Sequence, residues 1–162
     1  MMPSAAVSEV LLAELLGDVE TVGAVPGIRV SGLALDSRSV VPGGAFIALQ
    51  GSSAHGVEFL DDAIGRGARV VLREAADTRW SEVHQARCRN AGVETVAVRG
   101  LAESAGYVAA RFHGNPSDRF EHVVAVTGTD GKTSVTHFIA AMLDDGDAPA
   151  AVMGTLGAGR PG

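Results

Sequence analysis

Residues 122–126 (HVVAV) form a nearly unbroken apolar run that leads into Thr127-Gly128-Thr129-Asp130-Gly131-Lys132-Thr133-Ser134. An apolar run of this length without alternation reads as a strand buried on both faces of a parallel sheet. Two glycines then turn the chain, and residues 132–143 carry the spacing of a helix. A second apolar stretch at 150–153 completes a strand–loop–helix–strand unit. Such a unit commits the chain to an α/β class, because parallel strands need a crossover and two covered faces.

The same alternation fills the residues ahead of it. Residues 7–16 place Val7, Leu11, Leu12, Leu15 and Leu16 at helical spacing, with Gly17 as a stop. Strands are expected at 28–35 and 45–49, on either side of a Pro42-Gly43-Gly44 turn. Helices at 57–66, 80–89 and 101–112 then alternate with strands at 68–72 and 94–98. Residues 113–118 (His113-Gly114-Asn115-Pro116-Ser117-Asp118) are the most turn-like run, and a domain boundary is placed there. The expected fold is a small N-terminal α/β domain over residues 1–117. It is followed, over 118–162, by the first βαβ unit of a P-loop-type parallel-sheet ATPase domain. One helix over two strands leaves a sheet face wet. The second segment is therefore expected to be marginally ordered unless the chain continues or another chain completes it.

Charge and composition remove several classes of function. With 13 Lys and Arg against 19 Asp and Glu, the net charge is −6, and no basic run offers a nucleic-acid footprint. An apolar content of 46% is too high for a disordered chain. Gly or charge interrupts every long apolar stretch, so no membrane insertion is expected. Glu9, Glu14 and Asp18 in a start without cations do not suit a secretory signal, and a cytoplasmic location is expected. The sole cysteine, Cys88, cannot form an internal disulfide and reads as a packed helix residue. His55, His113, His122 and His137 lack metal-ligand spacing, so a protein zinc site is not expected. Trp80 and Tyr107 are expected to pack between helices and sheet. Asp144, Asp145 and Asp147 are expected to form a solvated helix end.

One lysine stands out against this background. Lys132 is the only lysine among the 13 basic residues, and the rest are Arg. A compact ammonium persists where a planar guanidinium would not fit. Lys132 follows a strand, two glycines and a turn, and it opens a helix, the context a phosphate-binding loop requires. Backbone N–H groups at a helix start and the positive end of its dipole hold a polyphosphate. Gly128 and Gly131 let the backbone approach phosphate oxygens. Lys132 would reach the β- and γ-phosphates, and the Thr133 hydroxyl would bind Mg²⁺. Val126 occupies the place of the first glycine of the general G-x-x-x-x-G-K-[ST] pattern. The match is to a shorter form, G-T-x-G-K-[ST].

That short loop resembles the ATP loop of the Mur ligases and of folylpolyglutamate synthetases. Leu33-Ala34-Leu35-Asp36-Ser37-Arg38, the stretch Val41 to Leu49 and Gly51-Ser52-Ser53-Ala54-His55-Gly56 look like the N-terminal domain of the muramoyl-peptide ligases. Phe112-His113-Gly114-Asn115-Pro116-Ser117 is similar to the hinge before their central domain. Met153-Gly154-Thr155-Leu156-Gly157 looks like the member that adds the third amino acid.

The resemblance implies an ATP-dependent ligase acting on a UDP-N-acetylmuramoyl dipeptide and an amino acid in peptidoglycan synthesis. ATP would form an acyl phosphate that the incoming amine attacks. Diaminopimelate is the expected amino acid, and lysine is the rival. By the same resemblance, Leu35 and Ser37 would contact the uridine end, and Ser52, Ser53 and Ala54 would form a loop against the UDP moiety. Gly128, Thr129, Asp130, Gly131, Lys132, Thr133 and Ser134 would form the ATP loop, with Thr133 on Mg²⁺. On their own, residues 36–38 would be an ordinary polar turn and 52–56 a solvated loop. Asp130 stands where Asn is common, and a carboxylate beside a triphosphate is repelled by about 1 kcal/mol or more per close pair. Weaker or more Mg²⁺-dependent nucleotide binding is expected from it. The catalytic residues are not among those matched, so this chain by itself is not expected to turn over. A monomer is expected. The alternative is a non-catalytic UDP-sugar-binding module with a vestigial phosphate loop.

Overall fold

A computed structural model of the chain describes residues 9–51, 54–145 and 149–161. The chain divides into two compact units, Met1–Arg119 and Phe120–Gly162.

The first unit runs β1 (Val10–Leu11), α1 (Leu12–Leu16), β2 (Thr21–Val22), β3 (Arg29–Val30), β4 (Leu33–Ala34), β5 (Ala45–Ala48), α2 (Leu60–Gly65), β6 (Val70–Glu74), α3 (Glu82–Asn90), β7 (Glu94–Val98) and α4 (Leu101–Phe112). Five strands form one sheet in the order β2-β7-β6-β5-β4. Its strands are parallel except for β2, which pairs antiparallel with β7 at the edge. Strands β1 and β3 make a separate antiparallel ladder.

The pleat explains the apolar runs. Ala45, Ile47, Val70, Leu72, Val96 and Val98 share a core with Leu12, Leu15 and Leu16 of α1 and with Leu101 and Val108 of α4. Phe46, Ala48 and Val71 join the other core, with Leu60 and Ala63 of α2 and Cys88 of α3. Because successive side chains point to opposite faces, both must be apolar when helices cover both.

Where the elements depart from the sequence reading, local contacts give the reason. The expected strand over 28–35 breaks into β3 and β4 at Ser31 and Gly32. There the Ser31 N–H donates to Gly43 O (3.1 Å) and its hydroxyl to Pro42 O (2.7 Å). A Cβ on Gly32 would sit 2.7 Å from Val41 Cγ2, so a larger residue where the chain crosses from one ladder to the other would push the Val41 side chain aside. The helix expected over 7–16 shortens to α1, since Val10 pairs with Val30 instead; Val7 lies outside the described residues. The helix expected over 57–66 opens as a 3₁₀ turn, Gly56–Phe59. Tyr107 is 69% exposed on α4 and does not pack as expected. The left-handed Gly100 starts α4 without a side-chain cap. The Glu74 carboxylate substitutes, accepting from the Gly100 and Leu101 N–H groups at 3.3 and 2.7 Å.

Cys88 is fully buried, and burial pushes its thiol up to about 11, with the Asp61 charge adding to the shift. A rise from 9.0 to about 11 leaves about a hundredfold less thiolate at neutral pH. Alkylation by iodoacetamide at pH 8 should therefore be about a hundredfold slower than for the urea-unfolded chain. Equal rates would place Cys88 at the surface.

The second unit contains α5 (Lys132–Leu143) and a hairpin of β8 (Val152–Gly154) and β9 (Gly157–Gly159). The strand expected at 122–126 is not formed, and residues 122–127 join no sheet. A both-face-buried strand needs hydrogen-bonded neighbours, and the second expected strand spends its edge on β9. Ala140 is the one buried apolar residue among the described residues of this unit, while Val123, Phe138, Met142 and Met153 are exposed. Asp144 is more than a solvated helix end. Its Oδ1 accepts from Arg160 (2.9 Å) and from the Ala150 N–H (3.1 Å). The Arg160 guanidinium, with the Ala150 N–H, holds its carboxyl below the usual range. Asp147 lies outside the described residues.

Candidate functional site

The second unit builds its site around the start of α5. Gly131 caps the helix in a left-handed conformation (φ 75°, ψ −2°), and no side chain caps the helix there. Gly128 also has positive φ, at 142°. The first intrahelical bond runs from the Val135 N–H to Gly131 O (2.9 Å). The N–H groups of Lys132, Thr133 and Ser134 thus belong to the first turn, which has no intrahelical acceptor for them. Lys132 folds back over the loop: its ammonium donates to Thr129 O (2.9 Å) and also to Gly128 O. A cleft of about 160 Å³ adjoins it, lined by Val126, Lys132, Thr133, His137, Thr155 and Leu156 among others. Asp130 is exposed and makes no ion pair or hydrogen bond among the described residues. Thr129 and Ser134 are exposed beside it.

In the first unit, β4 delivers Leu35 and Ser37. Leu35 is 64% exposed, whereas Ser37 is 4% exposed. The Ser37 side chain is the largest influence holding the neighbouring Asp62 carboxyl below its usual range. Asp36 caps the 3₁₀ turn Ser37–Ser39 by accepting from the Arg38 N–H (2.9 Å) and pairs with its guanidinium (2.6 Å). Beyond β5, the Gly51 N–H donates to Ala54 O (2.9 Å), and Gln50 bridges His55. Ala54 is half-buried. Ser52 and Ser53 lie outside the described residues. A Cβ on Gly56 would come within 2.7 Å of Ala48 Cα and 2.9 Å of Leu49 N. Glycine there lets the returning chain lie against β5.

The Arg38 side chain and its N–H hold the Asp36 carboxyl down to about 2, from 3.8. A depressed carboxyl stabilises the turn above the unfolded value and loses that contribution as pH falls from about 4 toward 2. Arg38→Ala should return the Asp36 titration, followed by carboxyl chemical shift, toward 3.8. An unmoved midpoint would assign the shift elsewhere.

Residues 29–113, just over half of the chain, match the model of the Mur ligase family, catalytic domain, and residues 126–160 match the Mur ligase middle domain. The chain belongs to the Mur ligase family. The UDP-N-acetylmuramoyl-L-alanyl-D-glutamate--2,6-diaminopimelate ligase of Alkalilimnicola ehrlichii is 47% identical over 133 residues, covering 82% of this chain and 26% of that protein. The ligase of the same name from Xanthomonas oryzae pv. oryzae is 41% identical over 152 residues, covering 93% of this chain and 28% of that one. The chain thus spans about a quarter of the length of these curated relatives. A solved structure of a ligase of that name matches with TM-score 0.67 and 25% identity, over 94% of this chain and 29% of that chain. The Acinetobacter baumannii UDP-N-acetylmuramoylalanyl-D-glutamyl-2,6-diaminopimelate--D-alanyl-D-alanyl ligase shares the fold at TM-score 0.58 and 17% identity, over 86% of this chain and 29% of that chain. The mixed α/β fold with a parallel sheet is that of this Mur ligase family. Among the described residues no helix is long and apolar enough to cross a membrane.

Asp77 escaped the reading of the sequence, which weighed His55 only as a metal ligand and as part of the 51–56 motif, not as a capping residue. The one signal for the cap was Glu58 three residues after His55, the spacing of a capping box with imidazole in place of a hydroxyl.

Proposed function

We propose that this chain carries the substrate-binding and phosphate-loop portions of an ATP-dependent ligase that joins meso-diaminopimelate to UDP-N-acetylmuramoyl-L-alanyl-D-glutamate in peptidoglycan synthesis. Relatives that are 41–47% identical bear the name of that enzyme, which supports both the substrate and the amino acid. The observation that carries the reading is the start of α5, with its left-handed Gly131, unpaired first-turn N–H groups and Lys132 on one loop.

Those residues fit a nucleotide triphosphate. The first-turn N–H groups would hold phosphate oxygens, and Lys132 would trade the Gly128 and Thr129 carbonyls for β- and γ-phosphate oxygens. Thr133 faces the cleft and would take Mg²⁺ together with the phosphates. Asp130 would face solvent, which keeps its charge off the triphosphate. ATP supplies the phosphoryl group that activates the acceptor carboxylate. In the first unit, exposed Leu35 would lie against the uridine end, and Ala54, with Ser52 and Ser53, would meet the diphosphate. Ser37 is buried and would act through the 3₁₀ turn it opens.

The test is calorimetry on a chimera in which this chain replaces the matching segment of the Alkalilimnicola ehrlichii relative. Binding of both ATP·Mg²⁺ and the UDP-muramoyl dipeptide, with turnover of diaminopimelate, is expected. Binding of the UDP-sugar alone would instead support a module with a vestigial phosphate loop.

A further inference from the structure

The loop that leaves β5 is fastened by a histidine whose two ring nitrogens do different work. His55 is buried, with its side chain 8% exposed. Its Nδ1 accepts from the Val57 N–H (3.2 Å), while its own backbone N–H donates to Glu58 Oε1 (3.1 Å). A nitrogen that accepts carries no proton, so the ring proton sits on Nε2. That Nε2 lies 3.5 Å from Asp77 Oδ2, on a side chain only 6% exposed. At that distance the contact is not a hydrogen bond, and Oδ2 has no hydrogen-bond partner among the described residues.

The turn after β6 meets this loop at a second point. Asp77 Oδ1 accepts from the Arg79 N–H (2.9 Å), and Arg79 reaches Glu58 Oε1 (3.1 Å), the same oxygen that caps His55. The Arg79–Glu58 pair is more than half exposed and contributes little. The buried Nε2 and Oδ2 matter more, because each loses solvation and faces only the other, while Nδ1 and Oδ1 are satisfied by the Val57 and Arg79 N–H groups. A Ser or Asp would cap residues 56–59 equally well. Only the second nitrogen of an imidazole also reaches Asp77.

We propose that His55 is a positioning residue that couples the end of β6, through Asp77, to the backbone at Gly51 and Ala54. It thereby places Ala54 against the UDP end of the UDP-muramoyl dipeptide. This rests on the substrate reading above for Ala54. The Gly51 N–H to Ala54 O bond and the Gln50–His55 bridge are the links between the imidazole and the loop.

The experiment titrates the 162-residue chain with UDP-N-acetylmuramoyl-L-alanyl-D-glutamate and follows amide exchange at Gly51, Val57 and Val70–Leu72. His55→Ala should bind about tenfold more weakly, equivalent to about 1.4 kcal/mol, with faster exchange at Gly51 and Val57 and unchanged protection in β6. His55→Asn offers an oxygen to the Val57 N–H but cannot reach Asp77, so it should recover most of the cap and remain about threefold weak. Asp77→Asn, whose Oδ1 still accepts from the Arg79 N–H, should match it, and the double variant should be no weaker than either alone, because both change the one Nε2–Oδ2 contact. Wild-type affinity in His55→Ala overturns the positioning role and leaves the substrate reading standing. Additive losses in the double variant, or lost protection in β6 with His55→Ala, also overturn it. A wild-type chain that does not bind the probe overturns the substrate reading first, and the positioning role with it.

Discussion

Lys132→Ala, made in the chimera, should weaken ATP·Mg²⁺ binding by at least about thirtyfold while leaving affinity for the UDP-muramoyl dipeptide within about twofold. Lys132 supplies the one side-chain ammonium of the chain, and a charge-assisted contact to a phosphate is worth on the order of 2 kcal/mol or more. Its present partners sharpen the expectation. The ammonium already closes the loop on the carbonyls of Gly128 and Thr129, so alanine removes both the phosphate contact and the tie that shapes the loop. Lys132→Arg should fail as well, because a planar guanidinium cannot turn its donors independently onto the positions that the compact ammonium reaches. Calorimetry with each ligand on both variants separates the outcomes. Unchanged ATP affinity in Lys132→Ala would remove the phosphate-loop assignment. Loss of both affinities together would mean that the variant unfolds.

Much of the first unit was legible because its strands are buried on both faces and its helices are punctuated. The strand at 94–98 and the helix at 101–112 sit where the apolar run and the Ala-rich periodicity put them. The loop at 127–131 and the helix from Lys132 were legible for a different reason, since glycine placement and a lone lysine mark a helix start. Other elements depended on contacts distant in sequence. Edge strand β2 is two residues long and exists because Thr21 and Val22 meet Val98 and Ala97, which no local pattern announces. The run at 122–126 has every local mark of a strand but finds no sheet neighbour among the described residues. After β4, Leu35 and Ser37 are two residues apart yet differ sharply, one turned to solvent and the other buried. Sequence places both near the site; only packing shows which surface is free.

Phe46→Ala should destabilise the first unit by about 3–5 kcal/mol, the cost of deleting a fully buried aromatic ring and leaving a cavity. Phe46 is 0% exposed and lies in a core with Val40, Leu60, Ala63, Val71 and Cys88. Against a typical total of about 5–15 kcal/mol, that loss leaves little margin. The urea midpoint should fall steeply with little change in the slope. The neighbouring residue makes the prediction specific to this architecture. Ile47 points to the opposite face, into the core with Leu15, Leu72, Leu101 and Val108, so Ile47→Ala should also cost about 2–5 kcal/mol. In a sheet with one wet face, one of two adjacent strand residues would be nearly neutral on truncation, because it would already be in water. Two adjacent large losses therefore require helices on both sides of β5. A cost below about 1 kcal/mol at either position would mean that one helical layer is absent in solution. Since β5 runs directly into the segment that returns at Gly56 against Ala48, losing that layer would also release the loop through Ala54.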